Sequence, residues 1–224
     1  MTQHSKRQAQ QKSAPAQQSP AIRPFEKEHD DELGLERLVF FSDAVFAIAI
    51  TLLALDIRLP AGAEAATDGE LLAQLLGLGS KYLAYCLSFL VIGNYWMSHH
   101  RKFSMITRYN GRLMLLNLLL LMGIAFIPFP TAVLSEYGNR TATIFYALTM
   151  AVIGSVSTAV WWYATWNNRL TSEQHSDGRQ RQGMVRNLVI PAIFLLSIGV
   201  AFIDEDAAKY SWLLIIPASI IARS

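Results

Sequence analysis

Residues 37–59, RLVFFSDAVFAIAITLLALDIRL, set an arginine, a serine and an aspartate at the start of an apolar run with no charge from Ala44 to Leu55. No other stretch limits the fold as much. On insertion scales an aspartate at mid-bilayer costs roughly 2.5–3.5 kcal/mol, and less near the interface. Ionisable residues so placed usually face a bundle interior or a water path. The helix is therefore expected to do more than anchor the chain.

Of the 224 residues, 52% are hydrophobic and only 16% charged, where a soluble domain carries about 25%. With long charge-free runs, this composition reads as an all-α, polytopic membrane protein. A net charge of +2 is too small to suggest nucleic acid as a partner. Cys86 is the one cysteine, so neither a disulfide framework nor a cysteine metal site is available within a chain. It reads as a small buried hydrophobe. Residues 1–34, rich in Gln, Ser, Ala and Pro with charges of both signs, are expected to form a disordered cytoplasmic tail. They contain no apolar segment of the secretory-signal kind. Residues 35–224 form the membrane domain.

Charged residues divide that domain into six apolar stretches, at about 37–58, 80–98, 110–130, 141–166, 185–203 and 207–222, most near the ~20 residues a spanning helix needs. The last is short, and Pro191 and Pro217 sit inside the fifth and sixth. Lys and Arg concentrate in the tail, in the 2–3 link (Arg101, Lys102, Arg108, Arg112) and in the 4–5 link (Arg169, Arg179, Arg181, Arg186), with Arg223 at the end. The opposite loops hold only Arg58, Lys81, Arg140 and Lys209, and carry Asp56, Glu64, Asp68, Glu70, Glu136, Asp204, Glu205 and Asp206. The positive-inside rule then puts both termini in the cytoplasm, which requires an even number of spans. Trp96, Trp161, Trp162, Trp166 and Trp212 fall near span ends, as an aromatic belt does. In the fourth span Ala147, Ala151, Ser155 and Thr158, with the Gly154–Thr158 pair, make a small-residue face suited to close helix packing, expected to be within the chain.

On the first helix Ile48, Leu52 and Leu55 share one stripe, and Ala44, Ala47, Thr51 and Ala54 the stripe beside it. The small stripe suits a neighbouring helix. The large one could face lipid, the usual fate of Leu and Ile. Turned inward by several copies of the chain, it would form an apolar constriction of the kind that gates by dewetting. Arg37 and Asp43 are too far round the helix to pair, so each needs a partner elsewhere. Asn94, Trp96 and His99 or His100, at the end of the second span, are candidate donors to Asp43 or Ser42. They could equally be ordinary interfacial polar residues. Adjacent histidines diverge by about 100° on a helix, which argues against a metal site.

The motif Arg37-x-x-x-Phe41-Ser42-Asp43, followed by AVFAIAITLLALDI, resembles the bacterial branch of the TMEM175 potassium channel family, and so does Tyr95-Trp96-Met97-Ser98-His99-His100-Arg101. The resemblance covers roughly residues 35–222. It implies six transmembrane helices per chain and a homotetramer whose first helices line a central pore. It assigns the hydrophobic constriction to Ile48, further lining to Leu52 and Leu55, and potassium preference to Thr51. It implies that Arg37, Phe41, Ser42 and Asp43, with Asn94, Trp96 and His99, hold the first helix against its neighbours.

The expected function is passive conduction of potassium through a bacterial cytoplasmic membrane, with no cofactor beyond the permeant ion. A TVGYG-type carbonyl filter is missing from the sequence, so selectivity has to come from constriction width, hydration and the Thr51 layer. Asp56, with Glu64, Asp68 and Glu70, would concentrate cations at the outer mouth, or these acids are simply solvated. The alternative is a proton-coupled cation transporter with Asp43 and His99 as relay, although no inverted repeat or broken-helix pair marks a midplane site. The sequence contains no HExxH, P-loop or nucleophile elbow, which argues against an enzyme.

Overall fold

The computed structural model describes residues 24–60, 67–171 and 177–212. These are helical throughout apart from loops and one isolated bridge, Ile106 to Thr171. Helix α1 runs Pro24–Leu52 and tightens into a 3-10 turn at Leu53–Asp56. Then follow α2 (Asp68–Gly77), α3 (Gly79–Phe103), α4 (Gly111–Phe126), α5 (Pro128–Tyr137) and α6 (Arg140–Thr165). After a 3-10 turn at Trp166–Asn168 come α7 (Asp177–Ala201) and α8 (Glu205–Ser211). Helix α1 begins at Pro24, so 24–34, read above as tail, form its first turns. Proline suits the start of a helix.

By length and composition, Glu32–Asp56, Gly111–Tyr137 and Arg140–Thr165 can each cross a membrane, and α2 with α3 makes a fourth candidate bent by 47°. The fifth stretch appears as the apolar part of α7, Asn187–Ala201. Most of the sixth, with Pro217 and Arg223, lies outside the described residues, as do the first 23 residues and Glu64. Helices α4 and α5 form one span interrupted at Ile127, where Pro128 and Pro130 remove backbone donors. Asparagines cap two helices: Asn110 accepts from Leu113 N–H at the start of α4, and Asn139 from Ala142 N–H at the start of α6.

Helices α6 and α7 pack most intimately. A Cβ on Gly154 would lie 2.9 Å from Pro191 Cδ, and Thr158 Oγ1 stands 3.2 Å from the Asn187 carbonyl. The small-residue face of the fourth span is thus used within the chain. Ala147 and Ala151 are buried there, while Ser155 is exposed. The core joins Phe46 and Leu53 of α1 to Ile92, Leu113, Ile124, Tyr146, Met150 and Phe194. It also holds hydrogen-bonded polar groups, as a dry interior requires: Ser88 bonds Thr131 and Tyr146, and Tyr95 donates to the Met150 carbonyl.

Three local expectations need correction. Cys86 is exposed on the protomer, not buried, because α3 turns its Ala84, Leu87, Ser88 and Val91 face inward. Trp161 and Trp212 are core residues rather than belt residues; Trp212 stacks on Tyr146 and donates to Ser197. Lys102, counted above as a loop charge, is buried against α6, donating to the Ser157 carbonyl at 2.9 Å and hydroxyl at 2.7 Å. Its position at the end of α3, one turn beyond His99, carries it under the helix pair instead of into water.

Candidate functional site

Helix α1 packs through one narrow face. Ser42, Phe46, Ala49 and Leu53 recur at i, i+4, i+7 and i+11 and are all buried. The ridge of Ile48, Leu52 and Leu55 lies about 120° round the helix from that face, and is 57%, 41% and 59% exposed in the protomer. Ala44, Ala47, Thr51 and Ala54 are exposed as well. The small stripe therefore does not meet a neighbouring helix of the same chain, because the packed face lies on the other side. In its most apolar window α1 is 22% buried, against 39% for the α4–α5 span and 56% for α6. It is the least buried of these three spans, with both stripes left for lipid or for other copies.

Hydrogen bonds hold the Asp43 end. The Ser42 hydroxyl donates to the Leu38 carbonyl at 2.7 Å and accepts from the Asn117 amide at 2.9 Å. This leaves the Asn117 oxygen as acceptor for His99 Nε2–H at 2.9 Å. Phe103 stacks on the His99 ring at 4.1 Å, and Phe46 of α1 tilts against it at 5.5 Å. One turn away, Trp96 Nε1–H donates to Asp43 Oδ1 at 2.8 Å. Helices α1, α3 and α4 meet here, and Ser42, His99 and Asn117 are all buried. Gly34 adds a close approach beneath: a Cβ there would overlap the Tyr109 ring.

Not every candidate joins this network. Arg37 is exposed and bonds nothing among the described residues. Phe41 is 51% exposed and stands outside the buried face of Ser42, Phe46, Ala49 and Leu53. Asn94 is buried but bonds neither Ser42 nor Asp43. The residue that joins Ser42 to His99 is Asn117, which the sequence reading missed. Its signal was a lone amide inside LLNLLLLM.

The other end of α1 is held as firmly. Ser135 of α5 donates to Asp56 Oδ2 at 2.7 Å. Lys81 Nζ lies 3.4 Å from the Asp56 carbonyl, and Arg58 Nε donates to the Leu55 carbonyl at 2.9 Å. Cationic side chains thus satisfy carbonyls that the helix end leaves unpaired. Between the two ends, Thr51 donates its hydroxyl to the Ile48 carbonyl at 2.8 Å. Its oxygen lone pairs remain on the exposed side. Among the described residues no cluster of three or more His, Cys, Asp or Glu could hold a metal ion.

A potassium channel of Streptomyces collinus is 39% identical over 173 residues, 75% of this chain and 82% of the relative. The sequence pattern of a family described as "Endosomal/lysosomal potassium channel TMEM175" matches residues 37–128. The chain belongs to the TMEM175 family. The crystal structure of a lysosomal potassium-selective channel TMEM175 homolog from Chamaesiphon minutus superposes with a TM-score of 0.74 at 31% identity. The match covers 85% of this chain and 99% of that one. An endosomal/lysosomal proton channel TMEM175 of Gallus gallus is 32% identical over 151 residues, covering 65% of this chain but only 30% of that longer relative. The match to the TMEM175 pattern begins at Arg37 and takes in α1, α3 and α4, so it contains every residue of the network at the Asp43 end.

Proposed function

We propose that this protein is a potassium-selective channel of the bacterial cytoplasmic membrane, a passive pore and not an enzyme. Four copies, each with six transmembrane helices and both termini in the cytoplasm, bring their α1 helices together round one axis. One observation carries the reading: Ile48, Leu52 and Leu55 stand uncovered in a line on a helix fastened at both ends to its own protomer. A helix so held presents its free ridge at a fixed angle, as a constriction needs. Ile48 forms the hydrophobic gate, Leu52 and Leu55 continue the lining, and the Thr51 oxygen beside Ile48 supports a preference for potassium. The small stripe of Ala44, Ala47 and Ala54 lets adjacent α1 helices approach closely.

The network of Ser42, Asp43, Trp96, His99 and Asn117 then positions α1, while Arg37, which bonds nothing among the described residues, and the half-exposed Phe41 are left for neighbouring copies or lipid headgroups. The competing reading, a proton-coupled cation transporter, needs Asp43 and His99 to exchange a proton. Their separate bonds, Asp43 to Trp96 and His99 to Asn117, favour a structural role. Planar-bilayer recording of purified protein with potassium on one side, sodium on the other and a superimposed pH gradient tests the choice. A reversal potential that follows the potassium gradient and ignores the pH gradient supports the channel. Flux that requires the proton gradient refutes it.

A further inference from the structure

We propose that Ser135 is a positioning residue for the outer end of the conduction path. By holding the Asp56 carboxylate it fixes the rotation of the Leu53–Asp56 turn, and with it the direction of Leu55. This rests on the reading of α1 as pore-lining. In 3-10 geometry residues i and i+3 eclipse, so the change from α to 3-10 after Leu52 stacks Leu55 above Leu52 along the axis. The regular helix would offset them. A single 3-10 turn is a weak element, with poor hydrogen-bond geometry and little to keep it from relaxing. Here Leu53 is buried as one anchor, Arg58 and the more distant Lys81 reach the turn's carbonyls, and the bond from Ser135 to Asp56 is the tie that grips a side chain of the turn from a neighbouring helix. Ser135 is itself 7% exposed, and its oxygen lies 2.9 Å from the Ala132 carbonyl one turn back on α5. The lever is short, because Asp56 follows Leu55 directly and a turn of the carboxylate turns the leucine with it. The carboxylate also points at α5, so Asp56 acts at the mouth mainly as a mechanical tie.

The test uses reconstituted full-length channels in a Cys86→Ser background, since Cys86 is exposed. Leu55→Cys is modified by a neutral methanethiosulfonate reagent from the outer side, so that losing the Asp56 charge does not itself change the rate, and the rate is read from the change in potassium current. Ser135→Ala is expected to change that rate about fivefold, the scale of one lost hydrogen bond. Ser135→Thr restores it. Asp56→Ala reproduces the change and adds nothing to Ser135→Ala, because coupled residues are not additive. Asp56→Asn keeps an acceptor for the serine and holds the original rate. A Ser135→Ala rate equal to the parent's, effects that multiply, or Asp56→Asn behaving as Asp56→Ala overturns the tie while leaving the pore intact. Modification of Leu55→Cys that never alters current removes the pore reading, and the proposal with it.

Discussion

Trp96 gives its indole N–H to the Asp43 carboxylate across 2.8 Å, joining α3 to the foot of α1. The bond is charge-assisted and therefore stronger than a neutral one. Since Trp96 is 39% exposed, solvent takes back part of that strength. Trp96→Phe keeps most of the ring and removes the donor. It is expected to cost about 1–2 kcal/mol per protomer, seen as a lower thermal midpoint of the detergent-purified oligomer, with ion selectivity unchanged. Asp43→Ala is expected to impair assembly further. Well-assembled Asp43→Ala channels with altered selectivity would contradict a positioning role.

Asn117 bridges Ser42 and His99 in a fully buried position. Asn117→Ala leaves the His99 Nε2–H without its acceptor, and an unsatisfied buried group costs about 1–3 kcal/mol. Ser42→Ala likewise orphans a buried donor, the Asn117 amide N–H. It deletes one oxygen, however, where Asn117→Ala deletes a whole amide and leaves the larger cavity, so its effect should be the smaller of the two. Thermal unfolding and oligomer yield of both variants check that order.

Gly154 faces Pro191, and any Cβ would come within 2.9 Å of Cδ. Pushing α6 off α7 is the expected result of Gly154→Val, at about 1–3 kcal/mol by the usual cost of overpacking. Gly199, also on α7, has nothing within 4 Å of a built Cβ. Gly199→Ala should therefore be neutral or slightly stabilising, because alanine orders a helix at less entropic cost. Parallel melting curves separate the two sites.

Thr51 is exposed, and its hydroxyl bonds only within its own helix. Thr51→Ala should therefore leave stability within about 0.5 kcal/mol of the parent while lowering the preference for potassium over sodium, read as a shift in bi-ionic reversal potential. An unchanged reversal potential would remove Thr51 from selectivity.

Much of this was legible in the residues themselves. Long charge-free runs announce spanning helices. Gly154 and Thr158 announce a close crossing because small residues at that spacing have few other uses in a membrane. Period alone could not say which of the three faces of α1 is buried. The ridge and the small stripe are each as regular as the packed face of Ser42, Phe46, Ala49 and Leu53, and only the neighbours on α3 and α4 distinguish them. Asn117, Lys102 and Ser135 stayed hidden for a related reason. Each is a single polar residue whose meaning depends on a partner 55 to 79 positions away, as in Lys102 with Ser157 and Ser135 with Asp56.

The central claim is that the Ile48 ridge of α1 forms the gate of a potassium path. Its most direct test is planar-bilayer recording of the parent protein beside Ile48→Asn, under identical potassium gradients. An amide at a dewetting constriction should hydrate it, so the account predicts a raised leak conductance in the variant. Conductance indistinguishable from the parent's, with the oligomer intact, would contradict it.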